Sequence, residues 1–150
     1  MYPDERVARF VTENFIPARV HVKDQAADFQ RLGAQYNAQW TPTILELDPD
    51  GKERHRIEGF LTTDDFLAQL KLGLGHAAFK HGTWDAAQRH FDDVVKSHPD
   101  AEAAPEARYW AGVSRYKASG NPTALGDTTR ALDERYPDST WAKKASIWKT

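Results

Sequence analysis

The chain has 150 residues, of which 40% are hydrophobic and 28% charged, and a formal net charge of −2. That balance excludes a disordered or fibrous chain and gives no general attraction to nucleic acid or to an anionic membrane surface. The absence of cysteine excludes disulfides, thiolate metal sites and thiol nucleophiles in this polypeptide.

The N-terminus, "MYPDERVARF", has no signal-peptide pattern, so the expected location is cytoplasmic, or periplasmic if the natural chain extends upstream. Asp4 is placed to cap a short helix with Val7, Ala8 and Val11 at helical spacing. "NFIPARVHV" alternates, with Ile16, Ala18, Val20 and Val22 on one side and Arg19 and His21 on the other. A strand over 16–22 is predicted, with Pro17 near its start, where a missing N–H does least harm. A second helix is predicted from Asp24, burying Ala27, Leu32 and Tyr36 and ending before Thr41–Pro42. Ile44, Leu45 and Leu47 predict another strand. In "DPDG", Pro49 presets φ and Gly51 accepts a positive φ, which makes a tight turn. "KERHRIEGF" returns as the partner strand, and Thr62 or Thr63 opens a helix carrying Phe66, Leu67, Leu70 and Leu74. The predicted order is α-β-α-β-β-α, an α/β layer with a hairpin.

Beyond about Leu70 the character changes: Ala becomes frequent, strand signals stop, and the segment repeats itself. "SHPDAEAAPEARYW" lies over "RYPDSTWAKKASIW" at an offset of 38 residues (Pro99 to Pro137), aligning Ala104 with Ala142, Ala107 with Ala145, Trp110 with Trp148 and Gly82 with Gly120. A period of this length means stacked helical hairpins. Five helices are expected from about residue 72 to 148, with Gly75 and Ala87 at close helix–helix contacts.

Other chemistry is sparse. The six histidines lack i,i+4 spacing with a partnering carboxylate, Asp48–Pro49–Asp50–Gly51 lacks the remaining positions of a calcium loop, and no phosphate loop or Gly-x-Ser-x-Gly occurs. No metal and no cofactor are expected.

The segment from about residue 3 to 75, through "NFIPARVHV", "WTPTILELDPDG" and Gly59–Phe60 before "TTDDFLAQL", resembles the C-terminal part of the thioredoxin-like family. The resemblance implies a cis Thr41–Pro42 bond and a loop, Trp40–Thr41–Pro42, whose backbone binds a protein or peptide partner by strand addition. The family's Cys-x-x-Cys segment would precede the start of this sequence, and without its low-pKa thiolate no redox chemistry is expected from this chain. The second part resembles tetratricopeptide repeats. Leu74, Gly75, Gly82, Ala87, Phe91 and Pro99 hold that pattern's spacings, while in the second unit Ala111–Gly112 stands for Leu-Gly, Leu125 for the small residue and Thr129 for the aromatic.

The expected architecture is therefore α/β then all-α. An incomplete thioredoxin-like layer occupies 1–72, and a tetratricopeptide-like hairpin array, or a helical cap on that layer, occupies 73–150. The expected function is a non-catalytic protein-interaction module. The alternatives are a truncated part of a thiol-disulfide oxidoreductase and a structural piece. The expected partner is a protein or peptide, with no nucleic acid and no membrane. The resemblance also implies that a central strand between 16–22 and 43–47 is missing; either these two strands pair directly in a rearranged sheet or, the favoured expectation, a second molecule fills the gap as a homodimer or strand-swapped pair.

Overall fold

The computed structural model describes residues 4–149. The chain divides into two compact units, Met1–Thr63 and Asp64–Thr150. Residue 72, the boundary expected from the sequence, lies inside the helix Thr63–Lys80.

In the first unit, α1 (Glu5–Asn14) starts where Asp4 accepts the Arg6 backbone N–H at 2.8 Å, and it buries Val7 completely. The helix α2 (Ala26–Gln35) begins two residues later than expected, with Gln25 as N-cap; the Gln25 side-chain oxygen accepts the His21 backbone N–H at 3.0 Å rather than an N–H of the helix. Two strands follow, β1 (Thr43–Leu47) and β2 (Glu53–Glu58), paired antiparallel with Ile44 opposite Ile57 and Glu46 opposite His55. Their turn is the one that "DPDG" dictates: Gly51 has φ of +83° and donates to the Asp48 carbonyl at 2.8 Å. A bulge on β2 leaves Arg54 without an opposite residue and turns its guanidinium onto the Asp48 carboxylate, a largely buried ion pair that anchors the hairpin's closed end.

The segment 16–22 is not a strand, which corrects the sequence-based expectation. Residues 15–21 have no regular structure and 22–25 form a turn; Ile16 is fully exposed and Val22 half exposed. The observed order is α-α-β-β-α. An alternating pattern becomes a strand only when a neighbour supplies the ladder, and among the described residues the sheet contains β1 and β2 alone. In place of a ladder, local bonds take over: the His21 ring accepts the backbone N–H groups of Lys23 and Asp24, both at 3.3 Å.

The second unit is helical throughout: α3 (Thr63–Lys80), α4 (Trp84–Ser97), α5 (Ala103–Ser119), α6 (Thr123–Arg135), α7 (Thr140–Ala145) and a 3-10 turn at Ser146–Trp148. Its main core joins Ala68 and Leu72 of α3, Ala87, Phe91 and Val94 of α4, and Ala103, Ala107 and Ala111 of α5. Small residues on one side let aromatics fill the other: a Cβ on Gly75 would lie 2.5 Å from the Phe91 ring. Gly82 and Gly120, aligned in the sequence repeat, end α3 and α5 at φ of +74° and +69°, a conformation that costs glycine little. A second core gathers Leu132, Ala142 and Ala145 with Tyr109, Tyr136, Trp141 and Trp148 packed against it.

The helices correct one detail of the repeat. The residue that meets Gly112, as Phe91 meets Gly75, is Thr128 and not Thr129; a Cβ on Gly112 would lie 1.8 Å from the Thr128 hydroxyl oxygen. The buried small residue four positions earlier is Ala124, not Leu125. The offset is 37 at Gly75–Gly112, Ala87–Ala124 and Phe91–Thr128 but 38 at Gly82–Gly120 and Pro99–Pro137, so alignment on the prolines places α6 one residue out. Thr129 instead donates its hydroxyl to the Ala145 carbonyl at 2.9 Å and joins α6 to α7. Ala87, fully buried, tests the pairing: Ala87→Leu should overpack the core and cost about 1–3 kcal/mol. A change of a few tenths in urea denaturation would show that the helix faces are not paired in this way.

Candidate functional site

The loop Trp40–Thr41–Pro42 runs from the end of α2 into β1, and two ties hold it. The Arg56 guanidinium of β2 donates to the carbonyls of Tyr36 and, at 3.1 Å, of Asn37, capping the C-terminus of α2. The Tyr36 hydroxyl donates to the Gly51 carbonyl at 3.0 Å. Hydrogen bonds from Arg56 to the Glu53 and Glu58 carboxylates raise the guanidinium pKa above its ordinary value, and the Arg56 contact lowers that of Glu53. Between these ties the chain reverses at Asn37, with φ of +50°, and enters Trp40.

The Thr41–Pro42 peptide bond is cis. The Thr43 hydroxyl closes the loop by donating to the Trp40 carbonyl at 2.6 Å, and the Pro42 carbonyl accepts the Gly59 N–H at 2.9 Å, extending the ladder one step past the strand. Trp40 is 69% exposed, and Phe60, next to Gly59, is 77% exposed. Two large aromatics thus stand in solvent at the open end of the hairpin.

Backbone parity fixes what β1 offers beyond β2. The bonds at Pro42–Gly59 and Asp48–Lys52, with the register between them, turn the backbone groups of Pro42, Ile44, Glu46 and Asp48 toward β2. The N–H and C=O groups of Thr43, Leu45 and Leu47 therefore point the other way. Within the described sheet this is an edge, and Leu47 on it is 43% exposed.

One side chain on the strand carries chemistry that polarity alone conceals. Glu46 shares a face with Ile44, is 7% exposed, and its Oε1 has no hydrogen-bond partner. Burial pushes its carboxyl up to about 9, so it is neutral at pH 7. The signal that could have found it is the strand's period of two: Ile44 and Glu46 must face the same way. The exposed residues Leu47 and Phe60 gave no such signal.

The three residues singled out from sequence, Trp40, Thr41 and Pro42, are contiguous and border this edge. Around them lie aromatic surface and backbone donors and acceptors, which suit binding, and no nucleophile–base pair. Among the described residues no group of three His, Cys, Asp or Glu side chains could hold a metal, and no helix is long and apolar enough to cross a membrane. With no cysteine in the chain, thiol–disulfide turnover has no carrier. Insulin reduction by dithiothreitol should run at the buffer rate when the pure protein is added; any acceleration would contradict this.

In comparison with known proteins, the family model described as a thioredoxin-like domain matches residues 1–73. No curated protein and no solved structure matches the chain.

Proposed function

We propose that this chain, thioredoxin-like over residues 1–73, is a non-catalytic protein-interaction module. Its first unit takes an extended segment of a partner protein along β1, beginning at Trp40–Thr41–Pro42. The observation that carries this reading is the outward backbone of Thr43, Leu45 and Leu47, bordered by exposed Trp40 and Phe60. Main-chain hydrogen bonds, each worth about 0.5–1.5 kcal/mol net, would supply affinity without demanding a particular sequence. The two aromatics would add apolar contact and select the flanking side chains. The helical unit, read as a tetratricopeptide-like array, adds a second surface for protein contacts.

Selection of random dodecapeptides on the full chain tests the proposal. Leu47→Pro removes an N–H that makes no bond to β2, at a position compatible with an edge strand, whereas Leu47→Thr keeps that N–H. Selected peptides should bind wild type and Leu47→Thr alike and lose at least tenfold on Leu47→Pro. Equal binding to all three would defeat the strand-addition reading. A second copy of the chain is a partner of the same kind, and sedimentation at micromolar concentration distinguishes self-pairing from capture of another protein.

The family match favours one further reading, that this chain is part of a longer thiol-disulfide oxidoreductase. An in-frame Cys-x-x-Cys shortly upstream of Met1 in the coding DNA would favour it over the non-catalytic reading.

A further inference from the structure

The first unit holds two halves of a ladder that do not meet within the chain. One is the outer edge of β1, where the backbone groups of Thr43, Leu45 and Leu47 point away from β2 in a described sheet of two strands. The other is the segment 16–22, in which Ile16, Ala18, Val20 and Val22 alternate with Arg19 and His21. Its β-branched residues favour a strand, yet it has no neighbour: residues 15–21 have no regular structure and Ile16 is fully exposed. Pro17 decides how this segment can enter a sheet. It has no N–H, so its backbone must face away from the strand that the segment joins. Ile16, Ala18 and Val20 then turn their N–H and C=O groups toward that strand, with their side chains on one face.

Antiparallel addition to β1 sets Ile16 opposite Leu47, Ala18 opposite Leu45 and Val20 opposite Thr43, each pair exchanging both backbone bonds with its side chains on the same face. Ile16 and Leu47, both standing in solvent, thereby cover each other. Parallel addition would instead put Ile16 and Val20 on the face of Glu46, which is already buried, and set Arg19 or His21 beside Leu47. We propose that two copies of this chain exchange these segments, each laying residues 16–20 antiparallel along the β1 edge of the other. This rests on the strand-addition reading of β1 and names its occupant. A second copy is favoured over an unrelated partner because donor and acceptor occur once each in the same chain. A reciprocal exchange about a two-fold axis closes with neither left over. In the monomer that dilution releases, the edge is open again to any extended segment.

Sedimentation of the full chain over a dilution series tests this. Wild type should pass from dimer to monomer. Ala18→Pro removes the donor's central N–H from a segment without regular structure. It should raise the dimer dissociation constant about tenfold or more while keeping the circular dichroism of wild type. Leu47→Pro should do the same from the acceptor's side, and Ala18→Thr, which keeps the N–H, should dimerise as wild type does. An equimolar mixture of Ala18→Pro and Leu47→Pro should associate more tightly than either alone, because the first retains the edge and the second the segment. A wild type that stays monomeric throughout would overturn the proposal. So would a dimer weakened by Leu47→Pro but not by Ala18→Pro, which would show β1 pairing with β1. Strand addition is read separately, with selected dodecapeptides and monomeric protein: they should bind Ala18→Pro as wild type and lose affinity on Leu47→Pro. That result beside a monomeric wild type would leave strand addition standing and remove the exchange; peptides indifferent to Leu47→Pro would remove both.

Discussion

Phe91→Ala should destabilise the helical unit by about 3–5 kcal/mol, the usual cost of emptying a buried aromatic site. Phe91 is fully buried at the centre of the core shared by α3, α4 and α5. Its ring fills the space that Gly75 leaves, and His76 meets it edge-on with centroids 5.2 Å apart. Truncation removes the dispersion contacts of the whole ring. Collapse of the cavity is opposed because Gly75 has no side chain to move in and because Ala68, Ala87 and Ala107 around it are already minimal. A unit of this size shifts its Tm by about 4–8 °C for each kcal/mol, so a fall of at least about 12 °C is expected in a thermal melt followed at 222 nm. A loss below about 1 kcal/mol would mean that α3 and α4 are not held together through this ring.

Glu46→Gln should stabilise the protein at neutral and alkaline pH, with an effect that grows as pH rises. Burial raises the carboxyl from 4.5 to about 9 in the folded state. A group whose folded pKa lies above its unfolded value contributes fully below the unfolded pKa, here about pH 4.5, and that contribution is lost as pH rises toward 9. At pH 7 the loss relative to pH 4 is about 3 kcal/mol, from about 1.4 kcal/mol per pH unit over the interval above the unfolded pKa. The amide removes this titration while keeping the side chain's size. Urea midpoints for wild type should fall steadily between pH 5 and 9, whereas those of Glu46→Gln should be flatter. Parallel profiles would show that Glu46 is ionised or solvated in the folded protein.

Local signals were legible in the sequence because their causes are local. The Asp4 cap, the Asp48–Gly51 turn, the paired left-handed glycines 82 and 120 and the helical faces of Phe66, Leu70, Ala87 and Phe91 each depend on residues a few positions away. The segment Ile16–Val22 failed for the opposite reason. Its alternation describes how it could pair, but pairing needs a neighbour that the described sheet does not contain. Thr128 and Thr129 were exchanged because a one-residue change in loop length shifts the repeat, and only the contact with Gly112 reveals which threonine meets α5. At the candidate site, Trp40, Thr41 and Pro42 could be read from the chain. The edge beside them could not, since which backbone groups face outward follows from the register with β2.

The central claim is that β1 keeps one edge open for a partner strand, and amide hydrogen exchange at single-residue resolution tests it most directly. In the free protein the N–H groups of Ile44 and Glu46, bonded to β2, should be protected, while those of Leu45 and Leu47 exchange at least tenfold faster. Addition of a selected dodecapeptide should slow Leu45 and Leu47 to the rate of their neighbours and leave Ile44 and Glu46 unchanged. Slow exchange at Leu45 and Leu47 in a free protein that sediments as a monomer would contradict the account, because the edge would already be filled from within the chain.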